Sequence, residues 1–192
     1  SGCEILDINV NKYTYTNKNF KMPIYSMDVN SINTLQVSSS SIKNLLQQGK
    51  VQESNMLLGY NFSVISTVIH GNKLGRTLGF PTINMLIPEY VKLRYGIYAT
   101  KTRLPNGEIK HSVSNFGVRP TIADSNKEEV LETFIFDFNG DLYDKTINIE
   151  FIDYIREEKK FANLEELVIG IKNDVKRAKL ILTKETNIDY AI

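Results

Sequence analysis

The feature that most limits how this chain can fold is a succession of short strand signals between residues 62 and 155, each closed by a turn signal. Residues 62–69 form an apolar run. Residues 83–87 are a second, ended by Pro88. Residues 96–104 alternate apolar and polar, and Pro105-Asn106-Gly107 turns the chain back so that 108–116 becomes its hairpin partner. The segment from Gly117 to Thr121 is expected to break that strand, 123–129 to be a polar loop, and 130–138 to be the next strand. Asn139-Gly140 reads as a second hairpin turn leading into 146–155. Short strands with turns at this spacing predict an antiparallel barrel or sandwich. A long helix follows. Asn163 supplies its cap, with Glu166 placed as in a capping box. Leu164, Leu167, Val168, Ile171, Val175, Ala178 and Leu182 give it one apolar stripe, expected to pack on the strands.

Upstream of residue 60 the pattern differs. Residues 5–10 and 22–27 are expected as short strands. The serines at 38–41 cap a helix with Ile42, Leu45 and Leu46 on one face, closed by Gly49. A shorter helix over 51–58 ends at Gly59. This segment is too small for a core of its own. At 192 residues the chain holds one domain, or one domain plus a fragment.

Composition removes several function classes. The formal net charge is +1, with charges mixed along the chain, which argues against a nucleic acid or a membrane surface as main partner. There is no apolar run long enough to span a bilayer. The first residues lack the pattern of a signal peptide. One cysteine allows no internal disulfide, so a cytoplasmic setting is expected. One cysteine and two histidines also make a structural zinc site unexpected.

The chemistry concentrates in residues 70–84. Glycines fall at 71, 75 and 79, with Lys73 and Arg76 among them. Pro81 forces an extended path, after which Thr82 and Asn84 lie on one face of a strand. Glycines let a backbone approach an anion, and a hydroxyl beside an amide oxygen suits Mg²⁺. The same glycines also fit plain turn residues, and Thr-x-Asn fits an ordinary strand edge. This is not a P-loop: no Gly-Lys-Ser/Thr follows and no helix pattern opens there. Glu132 shares a strand face with Phe134 and Phe136, which fits either a general base in a partly buried site or an edge carboxylate facing water. His70 and His111 read as structural, since they are not spaced as a metal pair.

Four segments in order resemble the riboflavin kinase family. Gly79-Phe80-Pro81-Thr82-Ile83-Asn84 is similar to its nucleotide loop and Pro-Thr-Ala-Asn motif, with Ile83 in place of Ala. Asn115-Phe116-Gly117-Val118-Arg119-Pro120-Thr121 resembles its Asn-x-Gly-x-Arg-Pro-Thr loop. Leu131-Glu132-Thr133 resembles the strand that carries its base. Residues 154–161 and the helix after them resemble its closing segment. The match covers about residues 60–183. Upstream, Ser38 to Lys43 resembles the signature near the end of the FMN adenylyltransferase module that precedes the kinase in bifunctional bacterial FAD synthetases, with Lys43 for the usual Arg. That module's His-x-Gly-His type motif is absent from these residues.

The resemblance implies a six-stranded antiparallel Greek-key barrel with a C-terminal helix over residues 60–192, preceded over residues 1–59 by the partial tail of an adenylyltransferase-like α/β module. It implies ATP as co-substrate, Mg²⁺ as cofactor and riboflavin as acceptor, giving FMN and ADP. Thr82 and Asn84 would hold the metal. Gly71 and Gly75, with Arg76 or Thr77, would cradle the phosphates. Glu132 would take the proton of the ribityl 5′-hydroxyl. Arg119 and Arg156 lie in segments that would close over ATP or flavin. No FAD synthesis is expected from this chain, and the missing adenylyltransferase module is its candidate partner. The alternatives are a flavin-binding barrel without catalysis, or a chain that keeps adenylyltransferase activity.

Overall fold

A computed structural model describes residues 31–32, 35–36, 38–71, 74–119 and 128–188. The expected strands at 5–10 and 22–27 lie outside them. Before residue 42 the described chain holds β1 (Ser31–Ile32) paired with β2 (Leu35–Gln36), and the start of α1 (Ser39–Gln47). The Ser38 hydroxyl caps that helix, accepting from the Ser41 N–H at 3.1 Å.

From residue 42 the chain forms a closed barrel with helices against it. α1 buries Leu45 and Leu46. α2 (Val51–Leu58) ends at Gly59, whose φ of 75° gives the left-handed cap. Leu46 and Val51 enter the same apolar cluster as the barrel interior. Asn55 ties α2 down: its amide donates to the Phe151 carbonyl at 2.8 Å, and its oxygen accepts from Phe62 N–H at 2.8 Å.

The six strands are β3 (Ser63–Ile69), β4 (Thr82–Leu86), β5 (Gly96–Arg103), β6 (Ile109–Arg119), β7 (Glu128–Ile135) and β8 (Thr146–Arg156). Their order round the barrel is β3-β4-β7-β6-β5-β8, all antiparallel. β5, β6 and β7 are successive neighbours, and β4 returns beside β7, which is the Greek-key step. Pro105-Asn106-Gly107 makes the predicted β5–β6 hairpin, with the Asn106 side chain accepting from Glu108 N–H.

Three sequence expectations change here. Asn139-Gly140 is not a hairpin turn, because both edges of β7 are taken by β4 and β6 and the chain must cross over to β8. β6 does not break at Gly117: pairing of Gly117, Val118 and Arg119 with Val130, Glu129 and Glu128 carries it on. β7 accordingly begins at Glu128, inside the expected loop, and stops at Ile135.

Strand alternation sorts side chains to two faces. Val68, Met85, Tyr98, Phe116, Leu131, Ile149 and Phe151 fill the interior. Among them runs a buried hydroxyl chain: Thr102 to Ser112 at 2.9 Å, Ser112 with Thr100 at 2.8 Å, Thr100 with Ser114 at 2.8 Å, and Ser114 with Thr133 at 2.8 Å. Each hydroxyl satisfies the next, which removes the penalty of burying it. Outside, α4 (Leu164–Ile188) packs on β5, β6 and β8. Its Ala178 and Leu182 meet Ile97, Ala99, Val113 and Ile152. The Asn163 side chain accepts from Glu166 N–H at 2.9 Å, the predicted cap. Leu164, assigned to the packed stripe, is instead 58% exposed. Among the described residues no helix is long and apolar enough to cross a membrane.

Candidate active site

The register of three strands builds the site. Glu132 on β7 lies directly opposite Asn84 on β4 and opposite Asn115 on β6. Thr82 pairs with Phe134, two residues along the same face. Leu131 and Thr133 point into the barrel, so Thr82, Asn84, Glu132 and Asn115 all project from its outer face. Behind them, the Ser114–Thr133 hydroxyl bond fixes the adjoining rung from inside.

The segment between β3 and β4 folds over this row. The sequence shows no helix pattern there, yet Leu74–Thr77 makes one helical turn, α3. Local bonds hold it: the Thr77 hydroxyl donates to the Leu74 carbonyl at 2.7 Å, and Phe80 N–H donates to the Gly75 carbonyl at 2.8 Å. The Thr77 hydroxyl is thereby engaged within its own turn. Two of the glycines are required by close approach rather than by a turn. A side chain at Gly71 would collide with the Asn84 amide, and one at Gly75 would strike the Phe80 carbonyl and press on the Thr82 hydroxyl. The loop backbone therefore lies directly on the two residues singled out as oxygen ligands, and Asn84 is only 6% exposed beneath it.

Two cavities flank the row. The first, about 300 Å³, is mostly apolar. Leu78, Phe80, Ile97 and Val113 form its walls, with Thr82, Asn115 and Glu132 on one side and Arg156 on another. The second, about 440 Å³, is more polar, with Arg76, Thr82, Asn139, Asp141 and Tyr143 among its lining. Thr82 is common to both linings. Arg76 borders the second cavity and not the first, away from Glu132. Asn84 and Gly71 belong to neither lining.

Arg156 is not a mobile surface cation. Its guanidinium makes a fork on the Asp174 carboxylate of α4, at 2.8 and 2.6 Å, and also donates to the Glu157 carbonyl at 2.7 Å. Arg119 ends β6 opposite Glu128; its side chain is outside the described residues. Glu158, Lys159 and Phe161 close the first cavity from the β8–α4 connection. Gly117 and Gly170 leave the space that Glu158 and Phe161 occupy. Leu167 and Ile171, expected to pack on the barrel, line this cavity as well.

Neighbouring phenols are perturbed. Burial drives Tyr98 well above the ordinary phenol range while its hydroxyl donates to the Arg94 carbonyl. Tyr95 is raised to about 12, chiefly by its hydrogen bond to Glu129 at 2.7 Å. His70 stacks on Tyr143 with ring centroids 3.9 Å apart, and the His111 carbonyl accepts from Phe136 N–H.

Among the described residues no cluster of three or more His, Cys, Asp or Glu could cage a metal. Thr82 and Asn84 are a different donor set. A hydroxyl and an amide on one face, under a glycine backbone that a side chain would displace, fit a hard cation that keeps phosphate and water among its ligands.

Residues 58–182 match the family model described as Flavokinase: Riboflavin kinase. The chain belongs to the riboflavin kinase family. Members with similar sequence include the bifunctional riboflavin kinase/FMN adenylyltransferases of Haemophilus influenzae, 41% identical over 143 residues, and of Bacillus subtilis, 41% over 144. Each alignment covers 74% of this chain, and 46% and 45% of those proteins. The Pseudomonas fluorescens enzyme of the same description aligns at 33% identity over 94% of this chain and 57% of its own length. The chain thus spans about half the length of the curated relatives it matches. A solved Streptococcus pneumoniae structure described as a macrolide-efflux protein superposes with a TM-score of 0.72 at 28% identity, covering 79% of this chain and 49% of that one.

Within this riboflavin kinase barrel, sequence reading missed Asn115 and Asp174 as site residues. Asn115 stands in a quoted motif, and its strand parity with Glu132 across a hairpin was a usable signal. Asp174 carries none, since a helix carboxylate gives no sign of which distant cation it meets.

Proposed function

We propose that this chain transfers the γ-phosphoryl group of ATP to the 5′-hydroxyl of riboflavin, giving FMN and ADP. The observation that carries this reading is that Glu132 and Thr82 line one cavity while Thr82 also lines a second. Phosphoryl transfer needs acceptor, base and phosphate to meet at one point with little covalent chemistry from the protein. The apolar first cavity suits the isoalloxazine ring, with the ribityl chain running toward Glu132. The polar second cavity, with Arg76 at its rim, suits the nucleotide. Glu132 accepts the proton of the attacking hydroxyl as the oxygen bonds to phosphorus and ADP departs. Gly71 and Gly75 bring the loop backbone against Asn84 and Thr82, the residues that would hold the cation facing the phosphates. Thr82 and Asn84 would hold Mg²⁺, which when bound supplies charge neutralisation at the phosphoryl oxygens.

The domain assignment belongs to the same proposal. Residues 60–192 are the kinase, and residues 1–59 correspond to the end of an adenylyltransferase-like module. The bifunctional relatives and the Ser38–Lys43 segment support this; the two histidines, neither in a His-x-Gly-His type motif, support no FAD synthesis by these residues. Riboflavin and ATP are the partners, with the adenylyltransferase module beside them, in a cytoplasmic setting and without nucleic acid.

The test is direct. Incubation with riboflavin and ATP should yield FMN in the presence of Mg²⁺ and almost none after chelation. No FMN under either condition, from folded protein, would overturn the reading.

A further inference from the structure

Among the described residues, Asn115 is the one lining the first cavity that holds a buried, unpaired polar side-chain atom. Its side-chain oxygen is fully buried and has no hydrogen-bond partner. A buried acceptor left unpaired is costly and calls for an explanation, and in a cavity wall a bound hydroxyl supplies one. Asn115 lines the same cavity as Glu132 and stands opposite it in the β6–β7 register. Directly opposed residues of an antiparallel pair keep their side chains about 4.5–5.5 Å apart at Cβ. One polyol chain passing over this rung can therefore present one hydroxyl to each. Next to Asn115, the Ser114 hydroxyl is already engaged with Thr100 and Thr133, so the rung is held rigidly from the barrel interior.

We propose that the Asn115 carbonyl oxygen accepts a hydrogen bond from a secondary hydroxyl of the acceptor polyol, next to the terminal hydroxyl that Glu132 deprotonates. Asn115 is then the residue that makes this barrel specific for a hydroxylated side chain over a plain alkyl alcohol. A pocket built to meet a hydroxyl rejects the analogue that lacks it, because its own acceptor is then orphaned. This rests on the riboflavin kinase reading.

The experiment compares riboflavin with a flavin bearing a 5-hydroxypentyl chain at N10, which keeps the terminal hydroxyl and lacks the three secondary ones. Wild-type protein should favour riboflavin in kcat/KM by about tenfold to a hundredfold. In Asn115→Leu the preference should fall to within about threefold, mainly through loss on riboflavin. A ratio measured within one preparation does not depend on how much of it is folded. If Asn115→Leu turns over neither substrate, the same ratio is read from dissociation constants by quenching of flavin fluorescence, and in Asn115→Ser, which keeps an acceptor and should keep part of the preference. An unchanged ratio in Asn115→Leu, or equal losses on both substrates as expected if Asn115 only steadied Glu132, would overturn the inference. Failure of the wild-type protein to phosphorylate either flavin would instead overturn the parent reading.

Discussion

The sharpest perturbation of this site is a single methyl group. An alanine at Gly71 would place Cβ 2.5 Å from the Asn84 side-chain carbon and 2.6 Å from its oxygen. Ordinary contact begins near 3.5 Å, so the amide must retreat by about 1 Å. Asn84 is nearly fully buried and has little room to do so. A misplacement of about 1 Å at a positioning group costs on the order of 10²-fold in rate, equivalent to about 2.7 kcal/mol. The backbone itself does not object, because Gly71 lies outside the left-handed region. Gly71→Ala should therefore lose about 10²-fold in kcat/KM for Mg-ATP, while its overpacking costs about 1–3 kcal/mol of stability and leaves the protein folded at the assay temperature. Gly107→Ala is the matched control. Its φ is 86° in the β5–β6 turn, with open space around the added carbon. It should cost about 1–2 kcal/mol and roughly 2–8 °C in Tm, and leave kcat/KM unchanged. The assay is FMN formation at varied ATP beside thermal unfolding of both variants. Wild-type kinetics in Gly71→Ala, or a loss accounted for by instability alone, would refute the reasoning.

Three further outcomes follow from the same geometry. Glu132→Gln should keep flavin and ATP binding while kcat falls about 10²–10⁴-fold; near-normal turnover removes Glu132 from the role of base. Thr82→Ala should weaken Mg-ATP far more than riboflavin, measured by titrating each ligand separately, and equal losses would point to general misfolding. Asp153 concerns stability: burial raises its carboxyl above the ordinary range, against the opposing hydrogen bonds of Tyr154 N–H and Gln52. A raised folded-state value means stability is full below the unfolded value near 3.9 and falls as pH rises through the folded one. Asp153→Asn should thus raise the urea midpoint at pH 7 and not at pH 3; the same gain at both would contradict the burial origin.

Local signals carried most of the fold. The strand runs, the 105–107 turn, the caps at Ser38 and Asn163 and the glycine stops at 49 and 59 depend on neighbours within a few residues, which a sequence displays. What was not legible depends on who pairs with whom. Asn139-Gly140 has the chemistry of a hairpin turn, but β7 has no free edge for β8. Gly117 looks like a strand breaker until its partner on β7 is known. The same holds for the site. Thr82, Asn84 and Glu132 were visible as types at spacings, and only register sets Glu132 across from Asn84. Arg156 read as part of a closing segment, and its tie to Asp174 was hidden because that carboxylate lies on another element. Gly71 and Gly75 read as an anion cradle or as plain turn residues, and their contacts with the Asn84 amide and the Phe80 carbonyl depend on how the loop folds back, which spacing does not display.

The most direct measurement is a structure of this protein with riboflavin, Mg²⁺ and a non-hydrolysable ATP analogue. The predicted result has the ribityl 5′-hydroxyl in hydrogen-bond contact with the Glu132 carboxylate and facing the terminal phosphate, while Thr82 and Asn84 ligate the cation. A flavin seated with its terminal hydroxyl away from Glu132, or a cation held without Thr82 and Asn84, would contradict it.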